Sequence, residues 1–482
     1  MSASFLFHDY ETFGADPRRD RPSQFAAIRT DAQFNEIGEP EVLYCRPGDD
    51  YLPQPVACLL TGITPQQAAR RGVPESEFAG RINAMMQQAG TCTLGYNSLR
   101  FDDEVSRHLF YRNFIDPYAR EWQNGNSRWD LIDAVRAFYA LRPDGIEWPR
   151  RDDGAPSFRL DQLSPANGIE HADAHDALAD VHATIALARL LRGRNARLFD
   201  YLLGLRDKRR VASLLDVNSR KPMLHISRRY PASRGCSALI APLAMHPTNP
   251  NGVIVVDLSV DPGPLLALGG EAIRERVFAN ADELSEGEER IPLKVVQLNR
   301  SPVLMPISVV DDAVAERLGI DRAAAERHWQ QLAVSSDLAA RVAQAFSGEM
   351  PNPPADPDLM LYSGGFFSKS DRQQMVRIRE TPVEALDSLQ PAFQDSRLEE
   401  MFFRFKARNY PQVLSDEEQK RWEHDRWERM NDASVASMTL SGFAREIERL
   451  NGELNSLSDS DRQHLEELVM FVEGMMPPQA FV

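Results

Sequence analysis

An apolar, aromatic-rich run near the start of the chain, Phe5-Leu6-Phe7-His8-Asp9-Tyr10-Glu11-Thr12-Phe13-Gly14, has the pattern of a β-strand that closes on glycine. Successive side chains on a strand point to opposite faces, so Asp9 and Glu11 share one face and Tyr10 takes the other. Over 30–60, strand-like runs such as Val42-Leu43-Tyr44-Cys45 alternate with Pro/Gly turns, and a helical pattern follows over 65–88. Cys92-Thr93-Leu94-Gly95-Tyr96-Asn97 gives a short strand signal. From Asp103 the apolar positions Val105, Leu109 and Phe110 keep helical spacing. An amphipathic helix over 176–191 carries Leu178, Val181 and Ile185 on one stripe.

The pattern changes after Arg194. Lys221-Pro222-Met223-Leu224-His225-Ile226, Gly252-Val253-Ile254-Val255-Val256-Asp257-Leu258, Leu293-Lys294-Val295-Val296-Gln297-Leu298 and Val303-Leu304-Met305 read as strands. Helical stretches over 271–282 and 312–346 complete a small, β-centred second domain. Met350-Pro351-Asn352-Pro353-Pro354-Ala355-Asp356-Pro357 is the clearest linker. Beyond it, 368–476 is almost wholly helical in pattern. The expected division is therefore 1–195, 196–349, a linker at 350–357, and 358–482, with no internal repeats.

A chain of 482 residues is too long for one ordinary core, which agrees with that division. No basic region followed by a sustained apolar one opens the chain, and no run approaches a membrane span, so a soluble, cytoplasmic protein is expected. Cys45, Cys58, Cys92 and Cys236 are scattered and form no C-x-x-C pair, which argues against zinc and for small core residues in a reducing compartment. The net charge of -16 speaks globally against nucleic acid. Locally it does not: Arg206, Lys208, Arg209 and Arg210 are clustered, and Arg18, Arg19 and Arg21 follow the first strand.

Two carboxylates at the end of an apolar strand repel, and a divalent cation between them removes that penalty. The same spacing recurs at Asp102/Glu104, Glu286/Glu288, Asp356/Asp358 and Asp459/Asp461, but none of those pairs sits in so apolar and aromatic a run. Asp102 stands at a strand-to-helix junction, where a simple helix cap explains it equally well. Asp176 and Asp180 share a helix face, with His175 at the helix entrance, and spacing alone leaves open which of the two faces a site. Between Phe110 and Pro149 aromatic and basic residues interleave, as suits a single-stranded nucleic acid groove, with about half of the rings expected in the core.

Taken together, Asp9-x-Glu11, Asn97-x-x-x-Phe101-Asp102 and His175-x-x-x-x-Asp180 follow the order of the DEDDh exonucleases. The opening run, Gln24-Phe25-Ala26-Ala27-Ile28-Arg29-Thr30, Thr61-Gly62-Ile63-Thr64-Pro65 and Ser157-Phe158-Arg159-Leu160 closely resemble the bacterial exonuclease I family over essentially the whole chain. The resemblance implies an α/β RNase-H-like (DnaQ-like) exonuclease domain, an SH3-like β domain with inserted helices, and an all-α C-terminal domain. It implies processive 3′-5′ hydrolysis of single-stranded DNA to nucleoside 5′-monophosphates, in DNA repair and recombination, with two Mg²⁺ per site and Mn²⁺ as a workable substitute. Asp9, Glu11, Asp102 and Asp180 would hold the metals, and His175 would act as general base. Glu11, Thr12, Phe13 and Arg159 would meet the terminal nucleotide. Arg107, Tyr118, Trp122, Arg136 and Lys208 are expected in the DNA groove. The family also docks the acidic C-terminal tail of the single-stranded DNA-binding protein, for which Arg142, Tyr201 and Lys221 are candidates; a monomer is expected. The competing readings are a DEDDh ribonuclease trimming RNA 3′ ends and a non-catalytic single-strand-binding scaffold.

Overall fold

The computed structural model describes residues 4–171, 176–280, 283–284, 288–348, 354–452 and 457–476. The chain divides into two compact units: Met1–Ser127 with Ala172–His182 and Asn352–Val482, and Arg128–His171 with Ala183–Pro351. The divisions fall inside the strand Ser127–Asp130 and the helix Ala177–Arg194.

The opening run forms β1 (Ser4–Thr12), followed by β2 (Pro22–Thr30), β3 (Glu41–Tyr44), β4 (Thr91–Gly95) and β5 (Ser127–Asp130) in a sheet of order β3-β2-β1-β4-β5. β1 is antiparallel to β2 and parallel to β4, and its ladder with β4 ends at Phe7↔Leu94. An interior strand is buried on both faces, which is why β1 is so continuously apolar. A bulge between Glu11 and Thr12 ends its regular pairing. Gly14 is required there: a Cβ at this position would lie 2.2 Å from the Asp20 carboxylate.

One face of the sheet packs Leu6, Tyr10 and Phe25 on Phe78, Ile82, Met86, Val105, Leu109 and Phe110. The helix expected over 65–88 is two, Pro65–Arg71 and Glu75–Met86. A Cβ at Gly72 would meet the Ala68 carbonyl at 2.4 Å, and Pro74 starts a new helix, so the chain breaks between them. The helix Asp102–Arg112 is buried along its whole length. One side of the C-terminal segment completes its packing: Tyr111 and Phe114 share a core with Leu361, Leu398, Met401 and Phe405. Phe13, Tyr51, Leu52 and Cys58 share another with Phe443, Leu450, Leu465 and Leu468. That segment is helical as expected, with helices Lys369–Glu380, Arg397–Asn409, Asp416–Asn431, Leu440–Gly452 and Asp459–Met475.

The second unit holds an antiparallel sheet of β6 (Met223–Ile226), β7 (Ser237–Met245), β8 (Gly252–Asp257), β9 (Leu293–Gln297) and β10 (Val303–Pro306), in the order β10-β6-β7-β8-β9. The pattern reading misses β7, its central strand. Ser-Ala-Leu-Ile-Ala-Pro-Leu-Ala-Met does not alternate because both faces are buried, and Pro242 is accommodated at a bulge before Ala244. The helix expected over 312–346 is three, Asp312–Leu318, Arg322–Ala333 and Leu338–Ala345. Gly319 closes the first in the left-handed region, and Asp321 caps the second. The helix expected over 271–282 is Gly270–Phe278, with 281–282 outside the described residues. None of the four cysteines forms a disulfide, and all four are buried. Among the described residues no helix is long and apolar enough to cross a membrane.

Candidate active site

β1 presents Asp9 and Glu11 on one face while Tyr10 turns into the core, as the strand period requires. Asp180 comes from the first turn of the helix Ala177–Arg194. Each of the three offers a carboxylate oxygen, and these atoms lie within 4.8 Å of one another. Glu11 is buried, and Asp9 and Asp180 are half-buried. Burial holds the Asp9 carboxyl well above its ordinary range, and the charges of Asp102, Glu11, Asp180 and Asp176 push it further. Burial, then Asp180, Asp102 and Asp176, push Glu11 up to about 9. Converging carboxylates that resist ionisation are the electrostatic signature of a cation site. An oxygen-only donor set suits a hard divalent ion such as Mg²⁺.

Asp102, 3% exposed, begins the helix Asp102–Arg112 and accepts from the Tyr10 backbone N–H at 3.0 Å. Its carboxylate is outside the three-residue group, yet its charge is the second contribution to the Asp9 shift. Among the described residues, Asp180 and not Asp176 belongs to the group with Asp9 and Glu11. Asp176 Oδ1 accepts from the N–H groups of Leu178 and Ala179, and its Oδ2 accepts from Gln24, so its carboxylate is engaged at the helix entrance. His175 lies outside the described residues.

Behind Asp102 is an ion pair that the pattern reading does not single out. Arg120, fully buried, donates to Asp103 at 2.7 Å, and the pair lies against Thr93 of β4. Beside it, burial depresses the His8 imidazole to about 4, which leaves it neutral. A buried Arg–Asp pair leaves no periodic signal; only its non-local partner identifies it.

The expected substrate contacts divide. Thr12 Oγ1 donates to the Gly14 carbonyl at 2.6 Å, and the Phe13 ring is turned into the core beside Tyr51 and Leu52. Arg107 is buried, its guanidinium engaged by Glu121 at 2.7 and 3.0 Å, Glu104 at 2.9 Å and the Tyr362 hydroxyl at 3.1 Å. Tyr118 is half-buried, edge-to-face with Phe366 at 6.2 Å, and Trp122 is 67% exposed. Phe366, 88% exposed, is a ring the pattern reading does not pick out. In the second unit, Arg159 is exposed and forks onto Asp161, and Arg136 is buried against Asp133 at 2.5 Å. Lys208 is exposed at the start of the helix Lys208–Leu214. Arg142 and Lys221 are exposed, and the Tyr201 hydroxyl donates to the Leu304 carbonyl.

Residues 6–188 match the family described as Exonuclease, 206–348 the Exonuclease I SH3-like domain, and 355–475 the Exonuclease I C-terminal domain. These matches bear out the expected order of nuclease, SH3-like and helical parts. Exodeoxyribonuclease I of Escherichia coli K12 is 49% identical over 452 residues, covering 93% of this chain and 94% of that protein. The structure of E. coli exonuclease I with a dA16 oligonucleotide superposes with a TM-score of 0.94 at 46% identity, covering 98% of this chain and all of that one. The zinc-bound form of the E. coli enzyme with single-stranded DNA superposes with a TM-score of 0.93 at 45% identity, with 98% of this chain and all of that one covered.

Proposed function

The chain belongs to the exonuclease I family, and from that premise we propose that it hydrolyses single-stranded DNA stepwise from the 3′ end, releasing nucleoside 5′-monophosphates. The observation that carries the chemistry is the meeting of the Asp9, Glu11 and Asp180 carboxylates within 4.8 Å. In this reading they hold Mg²⁺, two ions to a site, and Mn²⁺ substitutes. Bound there, the metal supplies an activated water and neutralises charge on the phosphodiester and its leaving oxygen.

The protein's own part is positioning and proton transfer. Asp9 and Glu11 are fixed by the β1–β2 ladder, and Asp180 by its helix, so the donors are in place before substrate arrives. Asp102, anchored by the Tyr10 N–H with its charge beside Asp9, would hold the second ion directly or through bound water. His175, which precedes Asp176 in sequence, takes the proton of the attacking water. Thr12 and Phe13 follow Glu11, where the terminal sugar rests, and Phe13 is held there by backbone hydrogen bonds to Arg21 and Gln54. Arg159 and Lys208, both exposed, are available to phosphates, and the Trp122 and Tyr118 rings to bases. Arg107 and Arg136 are each committed to a buried ion pair, Arg107 with Glu121 and Arg136 with Asp133, and brace the local structure of their own units.

Processive action, a role in repair and recombination, a cytoplasmic location and docking of an acidic protein tail on Arg142, Tyr201 and Lys221 come with the family. The deciding experiment compares nucleotide release from single-stranded DNA and RNA with and without Mg²⁺, for the parent and Asp9→Ala. Metal-dependent release from DNA, lost in Asp9→Ala with oligonucleotide binding retained, supports the reading. A strong preference for RNA, binding without cleavage, or turnover by Asp9→Ala would each overturn it.

A further inference from the structure

The three clustered carboxylates come from two elements, a strand and a helix entrance, and an amide joins those elements. Gln24 stands directly opposite Glu11 in the β1–β2 ladder and is 1% exposed. Its Nε2 donates to Asp176 Oδ2 at 3.1 Å and to the Tyr44 hydroxyl at 2.9 Å. Its Oε1 accepts from the Ala177 backbone N–H at 3.2 Å. Ala177 is the first residue of the helix that carries Asp180, and the first N–H groups of a helix have no partner within it. Asp176 satisfies the next two, so Gln24 and Asp176 together complete the helix entrance.

We infer that Gln24 is a positioning residue of the metal site, locking the first turn of this helix to the strand pair so that Asp180 faces Asp9 and Glu11. The inference rests on the reading of that cluster as a cation site. The residue type is specific. An amide of this length donates to a carboxylate and accepts from a backbone N–H at once, and it does so without charge. A carboxylate in its place would face Asp176 as a like charge beside an already crowded acidic cluster.

The test uses the full chain with Gln24→Met, which keeps length and volume and removes both donor and acceptor. Mn²⁺ binding to the metal-free protein is measured directly by electron paramagnetic resonance, alongside kcat and KM for single-stranded DNA at several Mg²⁺ concentrations. Loss of a group that orients a ligand weakens metal binding about 10- to 100-fold. The expected result is that weakening, with kcat reduced at low Mg²⁺, restored at high Mg²⁺, and KM for DNA unchanged. A purely structural role would not make the loss recoverable by metal. Mn²⁺ affinity within about twofold of the parent overturns the inference, on the scale of that expected change. A parent that binds no Mn²⁺ instead removes the cation-site reading. Should Gln24→Met fail to fold, Gln24→Glu keeps the acceptor for Ala177 and opposes Asp176: weaker Mn²⁺ binding supports the inference, and unchanged or tighter binding overturns it. Misfolding of both variants would mark Gln24 as structural and overturn it as well.

Discussion

Replacing Glu11 by glutamine separates the two things its carboxylate does, repelling its neighbours and holding a cation. Burial and the charges of Asp180, Asp102 and Asp176 push this carboxyl from an ordinary 4.5 up to about 9. A raised carboxyl means that the folded chain keeps a proton the unfolded chain has lost, so parent stability falls as pH rises from 4.5 towards 9. At about 1.36 kcal/mol per pH unit, the penalty in the absence of metal reaches about 3 kcal/mol at pH 7. Glutamine carries no charge and escapes it. In EDTA at pH 7, Glu11→Gln should therefore be more stable than the parent by up to about 3 kcal/mol, the gap closing as pH falls to 4.5. Mg²⁺ at about a thousand times its Kd reverses the order, because it then stabilises its binder by about 4.1 kcal/mol and the variant has lost a donor. Urea unfolding followed by tryptophan fluorescence at pH 5, 6 and 7, in EDTA and in Mg²⁺, reads all of this. A variant less stable than the parent in EDTA, or a gap that does not change with pH, would refute the reasoning.

Other perturbations report on separate parts of the molecule. Arg408→Met strips the guanidinium that donates to Asp50 at 2.7 Å and Asp358 at 2.6 Å, all three groups being buried, and should destabilise the chain by about 3–5 kcal/mol in urea unfolding. A loss under about 1 kcal/mol, the scale of a surface pair, would show that Arg404 and Arg429 take over its role. Burial opposes the Asp50 charge, but Arg408 and Arg429 hold its carboxyl below the ordinary value, so its stabilisation is complete above about pH 4 and fades in acid. Trp122→Ala should weaken oligonucleotide binding by about 1–3 kcal/mol in fluorescence anisotropy, and an unchanged Kd would exclude stacking on this ring. His175→Ala should slow single-turnover cleavage about 10²- to 10⁴-fold, and an unchanged rate would leave His175 without a role in proton transfer.

The acidic pair on β1 is legible because its cause is local: no other Asp/Glu pair at that spacing interrupts so apolar a run. The choice between Asp176 and Asp180 is not local. Asp180 lies in the first turn of the helix and Asp176 just before it, held by Gln24 from more than 150 positions away in the chain. The same limit governs Asp356 and Asp358, which in sequence resemble any exposed acidic pair in a proline-rich linker. The structure buries both against Arg404, Arg408 and Arg429, contributed by two later helices. β7 carries no strand signal for a third reason: a strand covered on both faces loses the alternation that marks half-buried ones. The breaks after Arg71 and Leu318 are local, set by Gly72, Pro74 and Gly319.

Phe13, two residues past Glu11, is seated among side chains from the far end of the described chain, and nearby the Ser437 hydroxyl donates to Asp20 across 417 positions. Loss of the helices that supply Phe443, Leu450, Leu465 and Leu468 would therefore uncover the Phe13 ring and loosen the end of the strand that carries the first two acids.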